Sequence, residues 1–294
     1  MTTLMDTPMA ASSITRSTRA ELLRLRKWPA VWVTVAVWVA LALVFGYLFP
    51  YLSYRTGDLS FAGDGDTRAQ LLVEMLPAAL PTVLVQGLPM FGGALALVLG
   101  AIVAGNGYGW GTWKTVFTQG PSRPATVGGS IVALTAAVLG ILALTLVLFT
   151  GVSLLVAGVE SQAVTWPSVG ALLESFGGGF LVLEMWALLG YALGTVARGP
   201  ALAVGLGLVW ALVVENLLRG VGALLGPVEA VTEVLPGTAG GSLVGALIDV
   251  SANPNETPGI LDTLSGGQAL ATVTAYCVGL VVLVLVLVRR RDVS

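Results

Sequence analysis

The sequence predicts an all-α polytopic membrane protein with six transmembrane helices, an N-terminal interfacial helix, and re-entrant outer helices between spans five and six. Three observations predict it. Of 294 residues, 56% are hydrophobic and 10% charged, with a mean hydropathy of +0.90, whereas a soluble domain is about a quarter charged. The apolar residues gather into six runs near the length of about 20 residues that crosses about 30 Å of hydrocarbon. Basic residues collect at alternate links between those runs. An ordinary cytosolic enzyme, a nucleic-acid binder with a basic face and a disordered chain are all excluded.

Ahead of the first run lies a basic stretch, Ser13 to Lys27, in which Ile14, Thr18, Leu22 and Leu25 recur at helical spacing among Arg16, Arg19, Arg24 and Arg26. Such a helix lies in the membrane interface, with its stems on apolar surface and its charges on lipid phosphate. The alternative is an unstructured basic tail. Span one, Trp28 to Phe49, follows a 27-residue leader without a small-x-small site before Tyr51, so it reads as a retained signal anchor. Span two is Leu84 to Ala104, span three Ile131 to Val156, and span four Phe176 to Val196. Span five, Ala201 to Leu217, is short but almost wholly apolar, and span six is Leu270 to Val288.

Lys and Arg set the orientation. Arg16, Arg19, Arg24, Arg26, Lys27, Lys114, Arg123, Arg198, Arg289, Arg290 and Arg291 fall on one side, against Arg55, Arg68 and Arg219 on the other. The positive-inside rule then puts both termini in the cytoplasm of a multi-pass protein of the cell (plasma or inner) membrane. The outer side collects acids, among them Asp58, Asp64, Asp66, Glu160, Asp249 and Glu256.

Between spans two and three the loop Gly105 to Gly128 carries Tyr108, Trp110, Trp113 and Phe117, then Lys114, Arg123 and the breaker Gly120-Pro121. A helix from about Gly111 to Thr118 aligns Trp110, Trp113 and Phe117 on one face. Exposed aromatics there suit a protein-docking surface; anchorage at the bilayer interface is the equal alternative. The short link Ala197 to Pro200 makes spans four and five adjacent and antiparallel. Arg219 to Gly267 alternates Gly-Pro breaks with apolar pieces too short to span, which fit re-entrant half-helices. Small residues repeat every four positions at Gly92, Ala96, Gly100 and Ala104, at Gly190 and Gly194, and at Ala203, Gly207 and Ala211. Such ridges let helices approach closely in lipid, within the bundle first and at a homodimer seam second.

The chemistry available is narrow. Histidine is absent and Cys277 is the single cysteine, so no catalytic or metal site is expected: zinc sites, Ser-His triads and thiolate clusters are excluded. Two strings are decoys. Leu264-Ser265-Gly266-Gly267-Gln268 copies the ATP-binding cassette signature, but it falls on the outer side, and neither lysine of the chain completes a G-x-x-x-x-G-K-[ST] loop; it reads as helix capping. Gly105-x-Gly107-x-Gly109-x-Gly111 is a flexible exit from span two. Glu184 in span four and Glu215 in span five are costly there. Counted from the shared turn, both lie about 21–23 Å from the cytoplasmic end. Arg219, four residues after Glu215, suits an ion pair. The two carboxylates with Arg219 are the candidates for lining a pathway or its outer gate; the structural alternative is a Glu215–Arg219 pair with Glu184 hydrogen-bonded inside the bundle.

Taken together, these segments resemble the permease subunit of ATP-binding cassette exporters of the second type, a group that includes drug, antibiotic-peptide and lipid or polysaccharide exporters. The leader Glu21-Leu22-Leu23-Arg24-Leu25-Arg26-Lys27-Trp28-Pro29 carries the resemblance, with the loop Tyr108-Gly109-Trp110-Gly111-Thr112-Trp113-Lys114-Thr115 and Gln119-Gly120-Pro121-Ser122-Arg123, and the order of the six spans. The resemblance implies a connecting helix over Ile14 to Lys27 and a coupling helix over Tyr108 to Phe117 that docks into the ATPase, with re-entrant helices between Val221 and Asp249. It implies two copies of a separate ATPase chain, where ATP and Mg would bind, and a second permease chain, the same or different. This chain would hold no cofactor and catalyse nothing itself. Gly107 stands where many relatives carry an acid. The competing reading is an ion-coupled secondary transporter using Glu184 or Glu215 as proton carrier.

Overall fold

The computed structural model describes residues 7–58, 67–109, 111–119, 122–222, 225–248 and 257–290, and among them it is helical, without a strand. Six helices are long and apolar enough to cross a membrane: α2 (Pro29–Thr56), α5 (Leu88–Gly109), α7 (Arg123–Val159), α8 (Val169–Ala197), α9 (Pro200–Gly222) and α12 (Gly266–Arg290). This is a multi-pass membrane protein. Between them lie α1 (Thr7–Lys27), α3 (Arg68–Glu74), α4 (Pro77–Gln86), α6 (Thr112–Gln119), α10 (Gly226–Thr232) and α11 (Pro236–Ile248). Helices α3 and α4 meet at 69° and together pass the same length-and-composition test, so the span count is six, or seven if that bent pair crosses.

Boundaries shift where hydropathy cannot see a bend. The apolar run from Leu84 continues through the Gly87 break, so Leu84 to Gln86 finish α4 and span two starts at Leu88. Pro89, which lacks an N–H, sits in the π-helical turn Leu88–Gly92 beyond the break. Span one runs on to Thr56 past Pro50, which a second π turn, Val44–Leu48, precedes. At 37 residues, α7 is about 55 Å long and outreaches the hydrocarbon.

The bundle is organised around α5 and α8, whose backbones touch. A Cβ on Gly100 would collide with the Ala187 carbonyl, and one on Gly190 with the Leu97 carbonyl. The small-residue ridges of spans two and four therefore serve packing within the chain. Close approach of this kind replaces the hydrophobic drive that lipid removes. Fully buried Leu97, Leu99, Leu134, Met185 and Tyr191 fill the space around the seam.

Helix α1 lies along α7, where Ser17 and Thr18 sit over Gly129. Its Ser17–Leu25 face packs inward, with Leu25 4% exposed, while Ile14, Leu22 and Leu23 remain on the surface with Arg16, Arg19 and Arg26. The expected stripe of Ile14, Thr18, Leu22 and Leu25 is thus split between two faces. Helix α11 is buried over Pro236 to Gly245, a burial its Gly-rich composition permits.

Candidate functional site

At the end of α5 remote from α1, a cleft lies between α5, α8, α9 and the start of α11. Helix α9 enters it through a π-helical turn, Trp210–Val214, which inserts extra backbone and redirects the rest of the helix. Glu215 is the first residue after that turn. Its side chain is completely buried: Trp210 Nε1 donates to Oε1 at 2.8 Å, and the backbone N–H of Gly237 donates to Oε2 at 2.8 Å. The carboxylate thereby caps α11, against the positive end of its dipole. A Cβ on Gly237 would collide with Glu215 Oε2, so only glycine admits the contact.

Arg219 does not pair with Glu215, contrary to what the i, i+4 spacing suggests. It donates to Asn216 Oδ1 at 2.7 Å, because Glu215 has turned inward, where Trp210 of α9 and Gly237 of α11 engage its two oxygens; the Glu215 carboxyl acts on Arg219 only through space. Asn216 in turn donates to the Leu212 carbonyl at 2.8 Å. Arg219 and Asn216 line the cleft with Met90 and Ala94 of α5, Leu212 of α9 and Trp186 of α8. Trp186 is 2% exposed, yet its indole N–H has no partner.

Glu184 belongs elsewhere. Thr135 of α7 donates to its Oε1 at 2.6 Å, its other oxygen is unpartnered, and Cys277 of α12 lies on the same side, its thiol 3.9 Å from the Leu181 carbonyl. The two intramembrane carboxylates are therefore not brought into one ring. Glu184 faces α7, while Trp186, two residues on, faces the cleft.

The opposite end of α5 gathers two other elements. Arg24 of α1 donates to the Val103 carbonyl at 3.1 Å, and Trp113 of α6 donates from Nε1 to the neighbouring Ala104 carbonyl at 3.2 Å. Arg24 also pairs with Glu21 at 2.7 Å and lies 5.4 Å from the Trp28 ring centroid. Burial pushes the Glu21 carboxyl above its usual range, and Arg24 pulls it back only in part. Arg24 thus directs its charge to Glu21 and the Val103 carbonyl, and Leu25 is a packing residue.

Trp113 is 4% exposed, so it is not part of an aromatic docking face; its ring lies against Tyr108, with centroids 6.2 Å apart. That ring also occupies the space a Cβ on Gly107 would need, a physical reason for glycine where relatives of the resembled family carry an acid. Thr112 is exposed at the start of α6. Trp110 lies outside the described residues, as do the side chains of Lys114 and Phe117. Asp64, Asp66, Gly120-Pro121, Asp249, Asn255-Glu256 and Arg291 likewise fall outside them.

No family model and no curated protein matches this chain.

Two further polar sites are structural. At the Leu264–Gln268 string, Ser265 and Gln268 form a reciprocal capping box at the start of α12, with the Ser265 N–H donating to Gln268 Oε1 at 3.2 Å and the Gln268 N–H to Ser265 Oγ at 3.4 Å. At the cleft end of the bundle Glu160 accepts from Tyr51 at 2.9 Å, Tyr54 at 3.1 Å and Arg55 at 3.2 Å, tying span one to the end of α7. The Tyr51 hydrogen bond, with those of Tyr54 and Arg55, holds the Glu160 carboxyl below its ordinary range.

Sequence reasoning misses Trp186, Trp210, Asn216 and Gly237. The adjacent Glu215-Asn216 pair inside an apolar run is the available signal for Asn216. Nothing in the sequence ties Gly237 to Glu215 across 22 positions.

Proposed function

We propose that this chain is the membrane-spanning permease subunit of an ATP-driven export complex. It would form the substrate pathway as a dimer and couple to two separate ATPase chains that carry ATP and Mg. One observation carries the reading: α1 and α6 are hydrogen-bonded to consecutive carbonyls, Val103 and Ala104, at one end of α5, and the other end of α5 lines the cleft. A push delivered to α6 from the cytoplasmic side reaches α5 through the Trp113 contact. Packed against α8 backbone to backbone, α5 cannot yield locally, so the displacement arrives at Met90 and Ala94, where the cleft opens or closes.

In this mechanism the chain supplies a path and a linkage, and the hydrolysis chemistry belongs to the partner. Arg16, Arg19 and Arg26, exposed along α1 beside Ile14 and Leu22, hold that helix on the cytoplasmic lipid surface. Trp110, Thr112, Lys114 and Phe117 would meet the ATPase. Trp113 and Tyr108 act behind them, fixing α6 to α5. The export direction and the cytoplasmic placement of both termini come from the resemblance and from the distribution of Lys and Arg.

The unpartnered oxygen of Glu184 is the one feature that favours a proton-coupled carrier instead. The test separates the two. Purification of the native complex is expected to bring down a chain with a phosphate-binding G-x-x-x-x-G-K-[ST] loop, and the isolated chain in liposomes is expected to move nothing. Solute flux from the isolated chain, driven by a proton gradient alone and lost in Glu184→Gln, overturns the proposal.

A further inference from the structure

The cleft at the start of α5 is chemically one-sided, and that property points to a ligand. The polar side chains that line it are those of Trp186, Asn216 and Arg219. An indole N–H and a guanidinium can only donate hydrogen bonds. The acceptor of Asn216 is taken by Arg219 and its amide group is spent on the Leu212 carbonyl. Glu215, the adjacent acid, is fully buried, and each of its oxygens already accepts a hydrogen bond, from Trp210 and from Gly237. What remains toward the cleft is mainly donor capacity, together with the Arg219 charge, which makes no direct ion pair among the described residues although the buried Glu215 carboxyl is near enough to act on it. The Trp186 N–H is the sharper sign. The residue is almost wholly buried and the donor has no partner, a condition that costs free energy unless something accepts the bond. The other walls, Met90, Ala94 and Leu212, are apolar, and the enclosed space is about 20 Å³. That seats one oxygen of a head group beside Trp186 and leaves the rest of the head at the mouth by Arg219, with an attached chain along the outside of the bundle.

We infer that this cleft is a binding site for an amphiphile whose head is an anionic oxygen group, a phosphate or carboxylate, carried on an acyl chain. The head group accepts from Trp186 Nε1 and from the free edge of the Arg219 guanidinium, while the chain follows Leu212 and Met90 into the surrounding lipid. The site needs no ATPase partner, so its test stands apart from that of the proposed function.

The test uses the full chain purified in a non-ionic detergent, with ligand binding counted by native mass spectrometry. The probes are dioleoylphosphatidylglycerol, oleate, dioleoylglycerol and inorganic phosphate. Phosphatidylglycerol and oleate are expected to bind at one saturable site. Arg219→Gln is expected to weaken that binding about tenfold or more, as loss of a charged hydrogen bond does. Trp186→Phe, which removes the N–H and keeps an aromatic ring, though a smaller one, is expected to weaken it about three- to tenfold at a melting temperature checked in parallel, and Arg219→Lys retains most of the preference for anionic heads. Uncharged dioleoylglycerol binding as tightly as phosphatidylglycerol overturns the inference, as does unchanged affinity in either Trp186→Phe or Arg219→Gln. Displacement of the lipid by equimolar inorganic phosphate overturns the amphiphile assignment, because it makes the acyl chain irrelevant.

Discussion

The contact between Glu215 and Gly237 joins span five to the buried helix α11, and its strength can be worked out from its parts. Replacing Glu215 by alanine strips the acceptors from two buried donors, Trp210 Nε1–H and the Gly237 N–H. Each orphaned donor costs about 1–3 kcal/mol, so the variant loses about 2–6 kcal/mol. Glu215→Gln keeps one carbonyl oxygen and presents an amide N–H₂ to the other donor, which halves the damage to about 1–3 kcal/mol. Gly237→Ala attacks the same contact from the other side, since its Cβ takes the place of Oε2 and evicts the carboxylate. The decisive comparison is the double variant. With Glu215 truncated, the alanine at 237 has room, so combining the two costs little more than Glu215→Ala alone and the cycle closes with a coupling of about 1–3 kcal/mol. Reversible unfolding in mixed micelles, followed by circular dichroism, measures all four corners. Costs that simply add, to within about 0.5 kcal/mol, refute the geometry on which the cleft rests.

Three other outcomes are expected. Trp113→Ala loses about 3–5 kcal/mol of stability because a buried indole is removed, whereas Trp113→Phe loses less, about 1 kcal/mol for the bond to Ala104 and about 1 kcal/mol for the smaller ring; if the alanine variant melts like the parent, Trp113 is a surface residue after all. Glu160 has a folded-state pKa below its unfolded value, so its contribution is present at neutral pH and fades as pH falls through the ordinary carboxylate range near 4.5 and below; the melting-temperature difference between parent and Glu160→Gln, measured from pH 7 to pH 3, should shrink toward zero. Ser265→Ala costs about 1 kcal/mol through loss of the capping box and, in the proposed complex with an ATPase, would leave hydrolysis unchanged; a melting temperature equal to that of the parent contradicts the capping role.

How much of this molecule is legible in its sequence depends on the length scale of the signal. Six spans emerge because lipid imposes a long, uniform apolar run that composition reports directly. The glycine ridges are legible for the same reason: Gly190 and Gly194 repeat at a helical period, and the surfaces that need such spacing are close helix pairs. Ser265 and Gln268 are legible as a cap because the partners stand three positions apart. The failures share a cause as well. Hydropathy runs through the break at Gly87 because a bend changes direction without changing composition. An α-helical spacing suggests a Glu215–Arg219 pair, yet the side chain of Glu215 is committed to a donor 22 residues further on.

The same limit applies to the aromatic loop. Tyr108, Trp110, Trp113 and Phe117 look alike as a cluster, and a loop is the default place for surface residues, so composition suggests exposure for all four. Whether a tryptophan points out or back is decided by whether a neighbour has left it space, and here that neighbour is Gly107, six positions away on the preceding helix. The glycine and the tryptophan are one feature split between two segments. Together with Arg24 on Val103, they turn the end of α5 into a junction where α1, α5 and α6 must move as a unit. A docking surface built only of exposed aromatics would transmit little, since flexible side chains absorb a push. A buried tryptophan seated on a glycine and bonded to a backbone carbonyl does not, and that rigidity is what the proposed coupling to an ATPase chain would require.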